Sequence, residues 1–180
     1  MNRKDRGNGS ESEARPCPEG RKSKPTRQRH GRDVVDITTY IPYFLTSVNN
    51  ALSRGASQLY LERFGVGIVE WRVVSMLANE PRIPASRACE VIALDKGATS
   101  RALTRLCDQG YLEFEASEGD PRKKIWWLND KGYRLHDDIL SLALERERQL
   151  IRDIDPDDLE VFLTVMRQMR RNVDRLRSDG

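Results

Sequence analysis

Apolar residues recur along this chain at helical spacing in several stretches, interrupted once by a run that alternates. From Asp36 to Phe64, Ile37, Tyr40, Ile41, Phe44, Leu45, Val48, Leu52, Leu59 and Leu61 fall mostly at helical intervals. Pro42 is tolerated only near a helix start, so the regular part is expected from about Ile41, and Gly55 weakens its middle. Gly65 and Gly67 bracket a break before a second helix, Ile68 to Ala78, which carries Val69, Trp71, Val73, Val74, Met76 and Leu77. Beyond an extended piece at Arg82-Ile83-Pro84 come two compact helical patterns. The first, Ala85 to Ala93, sets Ala88, Val91 and Ile92 on one face. The second, Lys96 to Gln109, is preceded by Asp95, a good capping side chain. It turns Ala102, Leu103 and Leu106 inward and Lys96, Ser100, Arg101, Thr104, Arg105 and Asp108 outward. Gly110 stands where a left-handed residue ends a helix.

The period then drops to two. Tyr111 to Ala116 and Lys123 to Leu128 read as strands around a tip, Ser117 to Arg122. In the second strand Trp126 and Leu128 share one face, and Ile125 and Trp127 the other. One face belongs to the core, and the other needs cover from a long helix of this or a partner subunit. Arg82-Ile83-Pro84 is placed to pair as a third strand. Asn129 can cap a helix from Asp130 to Ile154, and Asp155-Pro156-Asp157-Asp158 starts the last one: an acidic cap, proline in the first turn, and negative charge against the helix dipole. That helix carries Leu159, Phe162, Leu163, Met166, Met169, Val173 and Leu176 in one stripe. A stripe so long at the chain end has little left in its own domain to cover it, so a second subunit is expected there.

The expected fold is mainly α with a small β-hairpin wing, a winged helix-turn-helix whose N- and C-terminal helices form a dimerisation bundle. Three regions follow: a disordered basic tail (1–32), a helical dimerisation region (33–64 and 130–180), and the winged helix-turn-helix (65–129). The tail has no Val, Leu, Ile, Phe, Trp or Tyr and cannot bury enough apolar area to fold alone. It also holds ten Lys or Arg against four Asp or Glu, although the whole chain is only +3. Attraction to a polyanion must therefore come from local clusters and the tail, not from the overall charge of the domain. The tail is read either as a nonspecific DNA-phosphate binder or as a solubilising extension.

Composition narrows the chemistry further. No apolar run is long enough to span a bilayer and no secretory signal is evident, so a cytoplasmic, membrane-free protein is expected. His30 and His136 are the only histidines, and no nucleophile–base pair, phosphate loop or metal-ligand spacing is present. An enzyme, a cofactor and a metal site are accordingly not expected. Cys17, Cys89 and Cys107 form no motif. They read as buried, inert small thiols or, alternatively, as a redox sensor acting through the tail's Cys17.

A helix with short polar and cationic side chains on its open face, followed by a basic hairpin, is shaped for duplex DNA. A merely solvated face would explain Arg101 and Arg105 singly, but not helix, turn, helix, glycine, strand, basic tip and strand in that order. Here the chain resembles the MarR (multiple antibiotic resistance regulator) family. The resemblance rests on Leu94-Asp95-Lys96, Ser100-Arg101, Leu103, Leu106, Gly110, the wing motif Asp120-x-Arg122, Leu128 and Lys131-Gly132. Upstream, Val66 to Val74 with its Trp71-Arg72 pair is similar to the family's second helix, and the likeness extends over roughly Asp36 to Leu176. Asn129 stands where the family usually has Thr, and Gly97-Ala98 where it more often has Ser or Thr.

The resemblance implies a homodimeric regulator that binds an inverted-repeat operator in double-stranded DNA. Repression relieved by a small molecule, frequently a phenolic or aromatic acid, is the commoner mode. Arg101 and Ser100 are assigned to base edges with Thr99 and Lys96 close by, and Thr104 and Arg105 to phosphate. Arg122 is assigned to the minor groove, Asp120 to fixing the wing by pairing with an arginine, and Lys123 and Lys124 to phosphate. Tyr40, Tyr43, Phe44, Trp71 and Arg72 are the candidate ligand lining, against the plainer reading that they are core. The rival to DNA binding is a helical protein-interaction module on a winged-helix scaffold.

Overall fold

The computed structural model describes residues 21–92, 94–117 and 119–178. Two compact units divide the chain, Met1–Gly55 and Ala56–Gly180, and the boundary falls at Gly55 inside the first helix, Ile41–Phe64 (α1).

In the first unit Thr26–Arg29 (β1) and Arg32–Val35 (β2) pair antiparallel. This corrects the expectation of a structureless tail through residue 32; residues 1–20 of that tail lie outside the described residues. The hairpin is closed by His30 and Gly31, both at positive φ (51° and 70°), the turn that matches the twist of two antiparallel strands. A main-chain ladder needs no apolar side chains, so apolar periodicity has nothing to signal here. The Asp36 amide donates to Pro25 O (2.9 Å), Arg21 Nη2 to Thr39 O (2.7 Å) and the Thr39 hydroxyl to Lys24 O (2.5 Å), tying the hairpin's open end to the turn before α1. Within α1, Ile41 to Leu52 are all exposed.

The second unit begins with the last turns of α1, which bury Ala56 and Tyr60. Ile68–Asn79 (α2) starts where Glu70 Oε2 accepts the Gly67 N–H (3.1 Å). Then come Ile83–Pro84 (β3), Ala85–Ile92 (α3), Lys96–Asp108 (α4), Leu112–Ser117 (β4), Asp120–Leu128 (β5), Asp130–Leu150 (α5) and Pro156–Ser178 (α6). Strand order is β3-β5-β4, so the expected third strand exists, with Ile83 opposite Trp126. Of the α3 face expected inward, Ala88 is buried but Val91 is 46% exposed. Helix α5 ends at Leu150 instead of Ile154, because Asp153 takes positive φ (61°) ahead of the Asp155 start signal. The core packs Val66, Val73, Val74 and Leu77 against Ala102, Leu103 and Leu106 of α4, Leu112, Trp126 and Leu128 of the sheet, and Leu135 and Ile139 of α5. No residue of α6 is buried among those described.

Candidate nucleic-acid interface

Helix α4 is set by its two ends and one face. Asp95 Oδ1 accepts the Ala98 N–H (2.8 Å), a cap worth about 1 kcal/mol, and Gly110 ends the helix at φ +74°. Ala102, Leu103 and Leu106 are between 0 and 2% exposed, which fixes the helix's rotation and turns Lys96, Ser100, Arg101, Thr104 and Arg105 to solvent. Thr99 is the correction. Expected beside the base edges, it is instead fully buried, and its hydroxyl donates to Asp95 O (3.2 Å). Its place one residue before Ser100 puts it on the core side of the same turn.

Arg101 lies back along its own helix: a methyl added at Gly97 would sit 3.1 Å from Arg101 Nη1 and 3.1 Å from Asp95 Oδ1. The Gly97 departure from the family pattern thus leaves room for a guanidinium. Arg105 is only half exposed, and its Nη1 and Nη2 reach Glu70 Oε1 and Gly65 O, both at 3.4 Å. It ties α4 to the start of α2, a role invisible in sequence because its partners lie 35 and 40 residues away.

The wing is longer-stranded than expected. Strand β5 begins at Asp120, not Lys123, and the register shifts between Ala116 (opposite Lys124) and Ser117 (opposite Asp120). Lys123 Nζ lies 3.6 Å from an Asp120 carboxylate oxygen. Lys124 Nζ sits 3.8 Å from the centroid of the Phe114 ring and 5.4 Å from that of Trp126, while its residue remains exposed. The Arg122 side chain, assigned to the minor groove, lies outside what is described. Trp126 and Leu128 face the core as expected, and the Ile125/Trp127 face finds cover within the unit: the Arg82 guanidinium stacks 4.5 Å from Trp127 and pairs with Glu115, while Trp127 Nε1 donates to Glu113 Oε2 (3.2 Å). Pro84, Ala85, Ser86, Ser100, Leu103, Lys123, Lys124 and Trp126 line one cleft of about 330 Å³, bringing the open face of α4 and the wing lysines together.

A helix-turn-helix with a three-stranded wing is shared with solved proteins. A structure of a MarR/EmrR-type transcriptional regulator from Acinetobacter sp. ADP1 is 26% identical, with TM-score 0.72 over 78% of this chain and 99% of that one. PcaV from Streptomyces coelicolor, solved with its natural ligand, is 19% identical, with TM-score 0.65 over 77% and 96%. A MarR protein from Peptoclostridium difficile DA00132 is 16% identical, with TM-score 0.72 over 83% and 96%. No curated protein matches the chain by sequence. Residues 64–123, which hold the whole helix-turn-helix and most of the wing, match the sequence model of the MarR family. That likeness to the MarR family covers a third of the chain.

The solved proteins that share this fold include transcriptional regulators. Among the described residues there is no group of His, Cys and carboxylates able to hold a metal, and no helix is long and apolar enough to cross a membrane. The candidate ligand residues fall in both units. Trp71 and Arg72 line an open cleft of about 560 Å³ with Ser75, Met76, Asn79, Glu80, Val91 and Ile92. Trp71 also packs edge-on to Tyr60 (centroids 6.2 Å) and 5.7 Å from the His136 ring, so it serves the core as well. Tyr40, Tyr43 and Phe44 belong to the first unit, where all three are exposed. Cys89 and Cys107, expected buried, are half-buried free thiols, and Cys17 lies outside the described residues.

A second clasp is silent in the sequence. Arg87 Nε and Nη2 donate to both carboxylate oxygens of Glu80 (2.9 Å each), and Nη1 to Glu90 (3.2 Å), fastening α3 to the end of α2. Seven residues separate Arg87 from Glu80 and no helix joins them, so neither helical nor strand periodicity flags the pair.

Proposed function

We propose that this chain is a homodimeric, sequence-specific DNA-binding regulator that reads an inverted repeat and acts as a repressor released by a small, aromatic or phenolic ligand. The observation that carries the DNA reading is the orientation of α4: its apolar side is locked in the core, Lys96, Ser100, Arg101 and Thr104 are exposed, and Ser100 shares a cleft with Lys123 and Lys124 of the wing. Arg101 and Ser100 read base edges, and Thr104, Lys123 and Lys124 meet phosphate. Arg105 adds a phosphate contact while keeping its hold on Glu70.

The dimer rests on α6, where Val161, Phe162, Leu163, Val165, Val173 and Leu176 are exposed apolar residues on a helix with no fully buried residue among those described. A two-fold axis then spaces two recognition helices about one turn of duplex, ~34 Å, apart. Ligand release is supported by the cleft beside Trp71 and Arg72, and by PcaV having been solved with a natural ligand.

The test is a selection of bound fragments from the source genome with the purified protein, followed by a mobility shift on the recovered site. A salt-dependent shift with an inverted repeat, absent for a scrambled duplex, is expected. Equal binding to both duplexes would remove the sequence-specific reading, and no binding to either would leave the protein-interaction module as the better account.

A further inference from the structure

The β1–β2 hairpin is used neither by the helix-turn-helix nor by the ligand cleft, and its charges are arranged oddly. The register sets Arg29 opposite Arg32 and Arg27 opposite Val34. Because residues two apart share a face, Arg27, Arg29 and Arg32 lie together with Val34, while Thr26, Gln28, Asp33 and Val35 form the other side. All three arginines are exposed. The one carboxylate within the strands, Asp33, is on the opposite side, where Gln28 hydrogen-bonds it. The next one along the chain, Asp36, accepts from the Thr38 hydroxyl (2.7 Å) and amide (3.0 Å); these bonds lower its pKa most, and Arg27 contributes least.

Like charges directly opposed across two strands are destabilising, and a lone two-stranded ribbon is marginal to begin with. The arginine face therefore works against the hairpin that displays it. Lys22 and Lys24 lead into the same element, making six Lys or Arg to one acidic residue over positions 21–35. Along β1, Arg27 and Arg29 are about 7 Å apart. Duplex DNA carries one charge per ~3.4 Å of each strand, and guanidinium forks grip phosphate oxygens in pairs. A polyanion removes the repulsion that the ribbon otherwise bears.

We propose that the Arg27/Arg29/Arg32 face is a second DNA contact, made to the phosphate backbone without regard to sequence and additional to α4 and the wing. The proposal rests on the DNA-binding reading above. Its test compares the full chain with R27Q/R29Q/R32Q, R29K/R32K and R101A on two duplexes of equal length, one carrying the selected inverted repeat and one scrambled, across a range of KCl concentrations. Every phosphate that an arginine no longer neutralises flattens the slope of log K against log[salt] by ~0.9, so the triple variant is expected to flatten it by ~2.7 per engaged hairpin. It should weaken both duplexes by the same factor. R29K/R32K keeps the charge and should keep the slope, whereas R101A should weaken only the selected duplex.

Neutralising the face relieves repulsion, so loss of the hairpin is not expected, and circular dichroism checks that each variant folds. An unchanged slope in the triple variant, or a weakening confined to the selected duplex, overturns the proposal while leaving the α4 reading standing. Retained DNA binding together with lost binding to phosphatidylserine vesicles overturns it in favour of a membrane surface. If the wild-type chain binds neither duplex, both readings fall together.

Discussion

Gly132 shows how one missing side chain joins two elements. A Cβ there would lie 2.3 Å from Tyr111 O and 3.1 Å from the Leu128 side chain, because α5 passes directly over the start of the wing. The Tyr111 carbonyl accepts the Asn129 N–H (3.2 Å), and Asn129 Oδ1 in turn caps α5 through the Gly132 N–H (3.0 Å). Neither side of this contact can retreat cheaply, so Gly132→Ala should cost about 3 kcal/mol, read as a lower urea midpoint. At the proposed DNA interface the residues are expected to divide by role. Arg101→Ala should cost about 1–3 kcal/mol of discrimination between the operator and its single-base variants, with little effect on unrelated duplex. Lys124→Ala should weaken every duplex alike and reduce the salt slope by about 1, and it also removes a cation held over Phe114 and Trp126. Salt titration of both variants on both duplexes separates them. Arg101 is legible from the sequence as an outward cation on α4, but its return across the bare Gly97 is not, since that depends on a rotamer and not on spacing.

Among the elements, the joint between α2 and α3 carries a pH dependence. Arg87 donates to Glu80, and that hydrogen bond, more than the charge attraction behind it, holds the carboxyl below its ordinary value of 4.5. The same bond, then the one to Glu90, raises Arg87 above its already high range. The folded form therefore binds the Glu80 proton less readily than the unfolded chain does. The clasp contributes in full above about pH 4.5 and is lost as the pH falls below it. Glu80→Gln should accordingly shallow the fall in stability on the acid side while leaving the neutral plateau lower, as followed by urea midpoints from pH 7 to 3. Caps, glycine stops and the Asp155-Pro156 start signal are all readable in the sequence, because each acts within four residues of itself. Alternation starts the second wing strand at Lys123; a register shift near Ser117 lets pairing resume at Asp120, and a period of two cannot foresee such a shift.

For the whole molecule, the governing quantity is apolar surface left uncovered. Val161, Phe162, Leu163 and Val165 lie on α6 at 36 to 61% exposure, and Leu176 at 74%. Burying such side chains contributes roughly 1.5–3 kcal/mol each, enough in sum to hold two subunits together. Phe162→Glu with Val173→Glu should turn a dimeric light-scattering mass into a monomeric one and remove high-affinity binding to the inverted repeat, while a half-site is still bound weakly. A wild-type protein that already runs as a monomer at micromolar concentration would sink the two-fold model.

Sequence alone determined the order of elements from α1 onward, the inward face of α4, the caps and the family resemblance, because apolar periodicity and local hydrogen bonds operate between near neighbours. Tertiary structure decided what distance along the chain conceals. It put Thr99 in the core, gave Arg105 to Glu70 and Gly65, set Arg82 over Trp127, and paired strands in a stretch with almost no apolar residues. Each of those outcomes depends on which groups meet once the chain has closed on itself, and neither composition nor period encodes that meeting.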